Sequence, residues 1–242
     1  MRETSSTSLI STRPLPQREE VDVWLFDLDN TLYPAACNLF PQVERRMGEF
    51  ICQHFALAHA DAKALQKRLF HEHGTTLRGL MNEHGIDATA FLNFVHDVDL
   101  SAIEANPEMN DILTQLPGRK LIFTNADQPY SEKVLDRMGI AHHFEAIFDI
   151  VAAEFVPKPS DAPYDQLLER FDIDPRRTVF FEDSARNLKP AHERGMTTVW
   201  IEHDAPWSRA GLADASADTA SALPDWVHHR GDDLRDWLRA LP

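Results

Sequence analysis

The sequence predicts an α/β protein: a doubly wound, Rossmann-like parallel sheet with a helical cap inserted after the first core strand. Two observations carry this. Short apolar runs alternate with helix-like stretches along most of the chain, and one long early segment shows helical patterning with no strand in it.

The first core strand is "VDVWLFD" (21–27), a near-continuous apolar run of the kind a parallel strand needs when both its faces are covered. The runs "RKLIFTN" (119–125), "AIFDI" (146–150), "RTVFFED" (177–183) and "TTVWI" (197–201) repeat it. Between them "QPYSEKVLDRMG" (128–139), "APYDQLLERF" (162–171) and "ARNLKPAHERG" (185–195) read as helices, with Gly139 and Gly195 where helices stop. After a polar, Ala-rich irregular connection over 202–222, "LPDWVHH" and "GDDLRDWLRAL" predict a last strand and helix.

Residues 34–105 break the alternation. Pro41 is placed to open a helix with Val43, Met47, Phe50, Ile51 and Phe55 on one face. Asp61 and Asp87 read as N-caps and Gly85 as a stop, while Asn106 and Pro107 mark the return to the core. The plan is thus a flexible polar tail (1–20), an α/β core (21–33 with 106–242) and a helical cap (34–105) above the carboxyl ends of the sheet.

Lys and Arg number 24 against 39 Asp and Glu, a net charge of -15, which disfavours nucleic acid polymers and anionic membranes as partners. A small anionic substrate stays compatible, because a local metal or a few cations override the global field. No stretch approaches the roughly 20 apolar residues of a membrane span. Two cysteines, Cys37 and Cys52, make no disulfide framework, so the expected setting is cytoplasmic, as a monomer or small homo-oligomer. The histidine pairs His71/His73, His142/His143 and His228/His229 read as solvated surface.

Ligands of open α/β sheets bind beyond the carboxyl ends of the strands. Those ends carry Asp27 and Asp29, then Thr124 and Asn125, then Glu182 and Asp183, with Lys158 in "VPKPS" following the 146–150 run. Converging carboxylates repel unless a cation sits among them. Oxygen ligands completed by water and substrate phosphate suit Mg²⁺, which points to phosphate chemistry.

In order, "FDLDNTL", "FTN", "PKP" and "FFEDSARN" resemble the four signature motifs of the haloacid dehalogenase-like hydrolase superfamily. The resemblance implies that Asp27 is a nucleophile forming an aspartyl-phosphate and that Asp29 protonates the leaving alcohol, then activates water. It further implies that Mg²⁺ is held by the Asp27 carboxylate, the Asp29 backbone carbonyl and the Asp183 carboxylate. Thr124 and Lys158 would hold phosphoryl oxygens with the Asn125 backbone assisting, while Glu182 and Asn187 orient the ligands. Asn187 stands where many members place another Asp. True haloacid dehalogenases lack an acid at the Asp29 position, so its presence favours phosphoryl transfer.

"HEHGTTLRGLMNEHGID" (71–87) and "FLNFVHDVD" (91–99) resemble the insert of pyrimidine 5′-nucleotidase-like proteins, and the likeness runs from Val21 to Ile201. It implies hydrolysis of a nucleoside 5′-monophosphate such as UMP or CMP. The alternatives are a broad phosphatase of sugar phosphates or phosphoglycolate and, from another class, a non-catalytic binding protein. In the cap, Arg78 reads as a substrate-phosphate or sugar contact or as a surface ion-pair partner. His96 and Asp97 read as ribose or base contacts or as ordering the cap–core junction. Phe91 and Phe94 read as cap core or base-stacking rings, and Gln128 as facing the cleft.

Overall fold

The computed structural model describes residues 9–204 and 223–242. Its sheet comprises β1 (Ile10–Ser11), β2 (Val23–Phe26), β3 (Arg119–Phe123), β4 (Ala146–Phe148), β5 (Thr178–Glu182), β6 (Thr197–Ile201) and β7 (His229–Gly231), in the order β1-β7-β6-β5-β2-β3-β4. Every neighbouring pair is parallel except β1 with β7. The chain winds outward from β2 through β3 to β4, then crosses back to β5, β6 and β7. The reversal leaves β2 and β5 side by side at the switch point, where open α/β sheets form their crevice.

Alternation explains the two layers. Trp24 and Phe26 face one side of β2 and pack with α5 (Pro107–Gln115), α6 (Gln128–Met138) and α9 (Leu234–Arg239). Val23 and Leu25 face the other side and pack with α7 (Asp161–Phe171) and α8 (Ala185–Glu193). All four residues of β2 are buried, which is why its sequence shows no polar alternation.

Between β2 and α5 the chain forms α1 (Leu39–Phe55), α2 (His59–His73), α3 (Thr76–His84) and α4 (Ala88–Val95). They close around an apolar cluster of their own, with Val43, Ile51, Leu69, Leu80, Phe91 and Leu92 at its centre. Asp87 caps α4, Gly85 ends α3 in the left-handed region, and Asn106 caps α5 with Pro107 in its first turn. Asp61 does not cap α2; it lies inside the first turn, with Ala58 at the cap. The helix begins earlier than the polar residue suggests, and an acid there still complements the N-terminal dipole.

Three further expectations are corrected. The polar tail is not free over residues 9–20: β1 adds to the sheet edge, Arg13 hydrogen-bonds Thr197, and Arg18–Glu20 forms a 3-10 turn. The last strand lies at 229–231 instead of 223–229, because Pro224 has no N–H for a ladder and 224–227 closes a turn instead. His229 is fully buried, with Nδ1 2.9 Å from Ser11 Oγ, and Nδ1 of His228 accepts from the Thr198 N–H. Neither is a solvated surface residue. The irregular connection expected at 202–222 falls mostly outside the described residues. Among those described, no helix is long and apolar enough to cross a membrane, and both cysteines are free.

Candidate active site

Asp27 immediately follows β2, so the strand's register fixes it at the switch point, 6% exposed. The chain then turns sharply: Asn30 takes the left-handed conformation at φ 61°, which Asn tolerates better than most residues. The turn brings Thr31 back, and its hydroxyl donates to Asp27 Oδ2 at 3.2 Å. It also places Asn30 Nδ2 3.3 Å from Asp183 Oδ2. Asp183 follows β5, the neighbouring strand, and its Oδ2 lies 2.9 Å from His203 Nε2.

Lys158 arrives from the loop before α7 and is 1% exposed. Its Nζ donates to Asp27 Oδ1 at 2.7 Å, Glu182 Oε2 at 2.6 Å and the Phe123 carbonyl at 2.8 Å. Asn125 clamps the backbone of this lysine: its Oδ1 accepts from the Lys158 N–H at 2.9 Å and its Nδ2 donates to the Lys158 carbonyl at 3.3 Å. Thr124 is buried at the end of β3, its hydroxyl oxygen accepting from the Ala126 N–H. Asp27, Thr124, Asn125, Lys158, Glu182 and Asp183 thus gather at the carboxyl ends of three adjacent strands.

Burial drives the electrostatics. It pushes Asp27 up to about 8, helped by the Glu182 charge and opposed by Lys158. It also pushes Glu182 up to about 7, against Lys158. Desolvation alone would lower Lys158, but the two carboxylates outweigh it and hold the ammonium above its ordinary value. One buried lysine thus faces two carboxylates whose ionised forms burial disfavours.

The donor set fits the missing charge. Asp27, Glu182 and Asp183 each offer an oxygen within 4.8 Å of the others, all buried, and such hard oxygen donors suit a small divalent cation. Two buried amide oxygens, Asn30 Oδ1 and Asn187 Oδ1, have no hydrogen-bond donor among the described residues. Both Glu182 oxygens are already engaged, one by Lys158 and one by the Ser184 N–H, so Glu182 acts mainly on the lysine.

The Asp29 carboxylate stands apart from this cluster. Its Oδ1 accepts from the hydroxyls of Tyr33 and, at 2.8 Å, Tyr130. Both bonds fall on one carboxylate oxygen, and Asp29 is not among the acids grouped with metal-like spacing. The cap residues do not converge on the carboxylates. Arg78 Nη1 sits 3.4 Å from the Phe155 carbonyl. His96 Nδ1 lies 2.9 Å from Asp127 Oδ1, and Asp97 pairs with Arg46. Phe91 is buried in the cap core, Phe94 packs under Arg46, and Gln128 bonds Glu132 and Asp149. Tyr33, Tyr130, Asn30 and His203 were missed in the sequence; of these, only His203, just past the end of β6, carried the strand-end signal that found the others.

The fold and site together are those of a capped, doubly wound α/β protein with a lysine-bridged aspartate at the switch point of its sheet. The model of the haloacid dehalogenase-like hydrolases matches residues 21–195, and the chain belongs to that family. Phosphate metabolism protein 8 of Saccharomyces cerevisiae is 23% identical over 202 residues, covering 77% of this chain and 62% of the yeast protein. Phosphoglycolate phosphatase of Pasteurella multocida is 26% identical over 122 residues, covering 50% of this chain and 48% of that protein. The chain therefore spans less than two thirds of either relative. A HAD phosphatase structure from Thermococcus onnurineus superposes with a TM-score of 0.58 at 14% identity, covering 90% of this chain and 97% of the other. The L-2-haloacid dehalogenase of Xanthobacter autotrophicus with chloropropionic acid covalently bound gives 0.51 at 14%, with the same coverages. At these identities both show the fold alone.

Proposed function

We propose that this chain is a Mg²⁺-dependent phosphomonoester hydrolase working through an aspartyl-phosphate on Asp27, with pyrimidine nucleoside 5′-monophosphates as its substrate class. The observation that carries the chemistry is the pairing of a buried, lysine-held Asp27 with Asp29, a second carboxylate held separately. Asp27 attacks phosphorus; Asp29 gives a proton to the departing alcohol and later takes one from the attacking water. Splitting the displacement in this way needs two acids with distinct surroundings, and the structure surrounds them differently. Lys158 aligns Asp27, and Thr124 and the Asn125 backbone would receive the phosphoryl oxygens. Asp27 and Asp183 would hold Mg²⁺, with the Asp29 carbonyl and Glu182 flanking; when bound, the ion offsets charge on the carboxylates and the transferring group. The dehalogenase alternative lacks a use for Asp29.

The nucleotide preference rests on the likeness of residues 71–87 and 91–99 to the pyrimidine nucleotidase insert, since Arg78 and His96 are engaged by Phe155 and Asp127. A broad small-molecule phosphatase is the second reading, favoured by the Pasteurella relative's name. Hydrolysis of p-nitrophenyl phosphate should require Mg²⁺ and should fall at least about 10³-fold in Asp27→Asn. Absence of turnover on any phosphate ester by wild-type protein with Mg²⁺ overturns the proposal. A panel of UMP, CMP, AMP, GMP and sugar phosphates ranks the two substrate classes: higher kcat/KM for a sugar phosphate than for every pyrimidine nucleotide rejects the nucleotidase assignment.

A further inference from the structure

We infer that Tyr130 is a positioning residue for Asp29, and that the cap sets Tyr130 through the His96–Asp127 pair; this rests on the phosphatase assignment of the site. Tyr130 lies in the first turn of α6, 2% exposed, its backbone N–H bonded to Asp127 Oδ1 at 3.1 Å. Its hydroxyl donates to Asp29 Oδ1 at 2.8 Å, and Tyr33 donates to the same oxygen, the two hydroxyls lying 3.4 Å apart. Among the described residues no hydrogen bond reaches the other oxygen, Oδ2. The carboxylate is therefore pinned at one atom and presented at the other.

Tyr130 is itself fixed from the cap. The His96 ring, at the C-terminal end of the last cap helix, stacks on it at 4.4 Å between centroids with 19° between planes. His96 Nδ1 reaches Asp127 Oδ1, which also caps the helix that carries Tyr130. Tyr33 lies on the segment by which the chain enters the cap, and His96 begins the segment by which it leaves. Both passages between cap and core thus end on the tyrosine pair that holds Asp29. A general acid misplaced by a fraction of an ångström loses much of its effect, so this contact transmits cap position to the proton donor.

As an Asp27 oxygen bonds to phosphorus, the bond from phosphorus to the leaving oxygen breaks and the Asp29 proton passes to that oxygen. Water then attacks the aspartyl-phosphate, its proton returning to Asp29, releasing phosphate and free Asp27. An alkyl leaving group needs that proton; p-nitrophenolate departs without it. The ratio of kcat/KM on an alkyl monophosphate to that on p-nitrophenyl phosphate therefore reports the placement of Asp29, because kcat/KM ends at departure of the alcohol.

Tyr130→Phe keeps the ring and its stacking on His96 and removes only the hydroxyl. We expect it to lower that ratio roughly tenfold or more, with Tyr33→Phe in the same direction and His96→Phe less. Combined with Asp29→Ala, Tyr130→Phe should cost nothing further on the alkyl ester, since the group it positions is gone. Equal loss on both esters, no loss on either, or additive loss in the double variant overturns the inference. Wild-type protein that hydrolyses neither ester overturns the phosphatase assignment itself, a result separable from all of these.

Discussion

Lys158 uses all three of its N–H donors inside the site, on Asp27, Glu182 and the Phe123 carbonyl. It is therefore both the clamp on the proposed nucleophile and the counter-ion of a buried acid pair. Lys158→Met keeps most of the volume and removes the charge, so Asp27 and Glu182 should take up protons rather than stay ionised. Turnover should fall by at least about 10²-fold in steady-state assays with Mg²⁺. Stability should fall as pH rises: carboxyl groups raised in the folded state bind protons that the unfolded chain has already released, so folding loses ground through their folded pKa. Thermal melts of the variant between pH 6 and 9 check that sign. The lysine was legible in the sequence through its place among the strand-end acids and in the family-like "PKP" motif, not on its own. Tyr130 was not. Its spacing in α6 matches the buried face of Val134 and Met138, and only the tertiary arrangement shows its hydroxyl leaving that face for Asp29.

At the scale of elements, the sheet edge holds the clearest departure from expectation. A two-residue strand in a polar stretch leaves no periodicity to read, and its partner β7 is three residues long. What makes the edge cohere is His229, buried against Trp237 with its ring 5.6 Å away and bonded to Ser11 on β1. Burial pushes both His229 and His228 down to about 4. The unfolded chain binds these protons from about pH 6.5 downward, whereas the folded protein resists until about pH 4. Stability should therefore be lost as pH falls through that window, by at most about 3 kcal/mol for His229. His229→Gln should flatten the decline in urea midpoint between pH 7 and pH 4. An unchanged decline would mean that other groups carry it. By contrast, β2, β3, β5 and β6 were legible from their apolar runs, because a strand with two covered faces has little room for polar residues.

At the scale of the molecule, the interrupted alternation of strands and helices sufficed to read a helical insert between β2 and α5, whereas contacts such as His96 on Asp127 depend on packing that no periodicity encodes. The same separation governs cation binding. Among the described residues two acidic groups have metal-like spacing: Asp27, Glu182 and Asp183 in the core, and Glu72, His73 and Glu83 on the cap. The cap group is already neutralised by Arg68, 2.6 Å from Glu72 and 2.7 Å from Glu83, which holds Glu83 down at about 2. The core group is buried and has one ammonium, Lys158, bridging two of its three carboxylates, so it should be the one that takes Mg²⁺. A ligand that binds only the folded state at about 100 times its Kd adds about 2.7 kcal/mol, which raises Tm by roughly 5–10 °C for a chain this size. Calorimetry or dye-based melts should show this rise for the wild type and little of it in Asp183→Asn, without any substrate present. Were the rise kept in Asp183→Asn and lost in Glu83→Gln, the cation would belong to the cap, and the charge deficit around Asp27 would need another source.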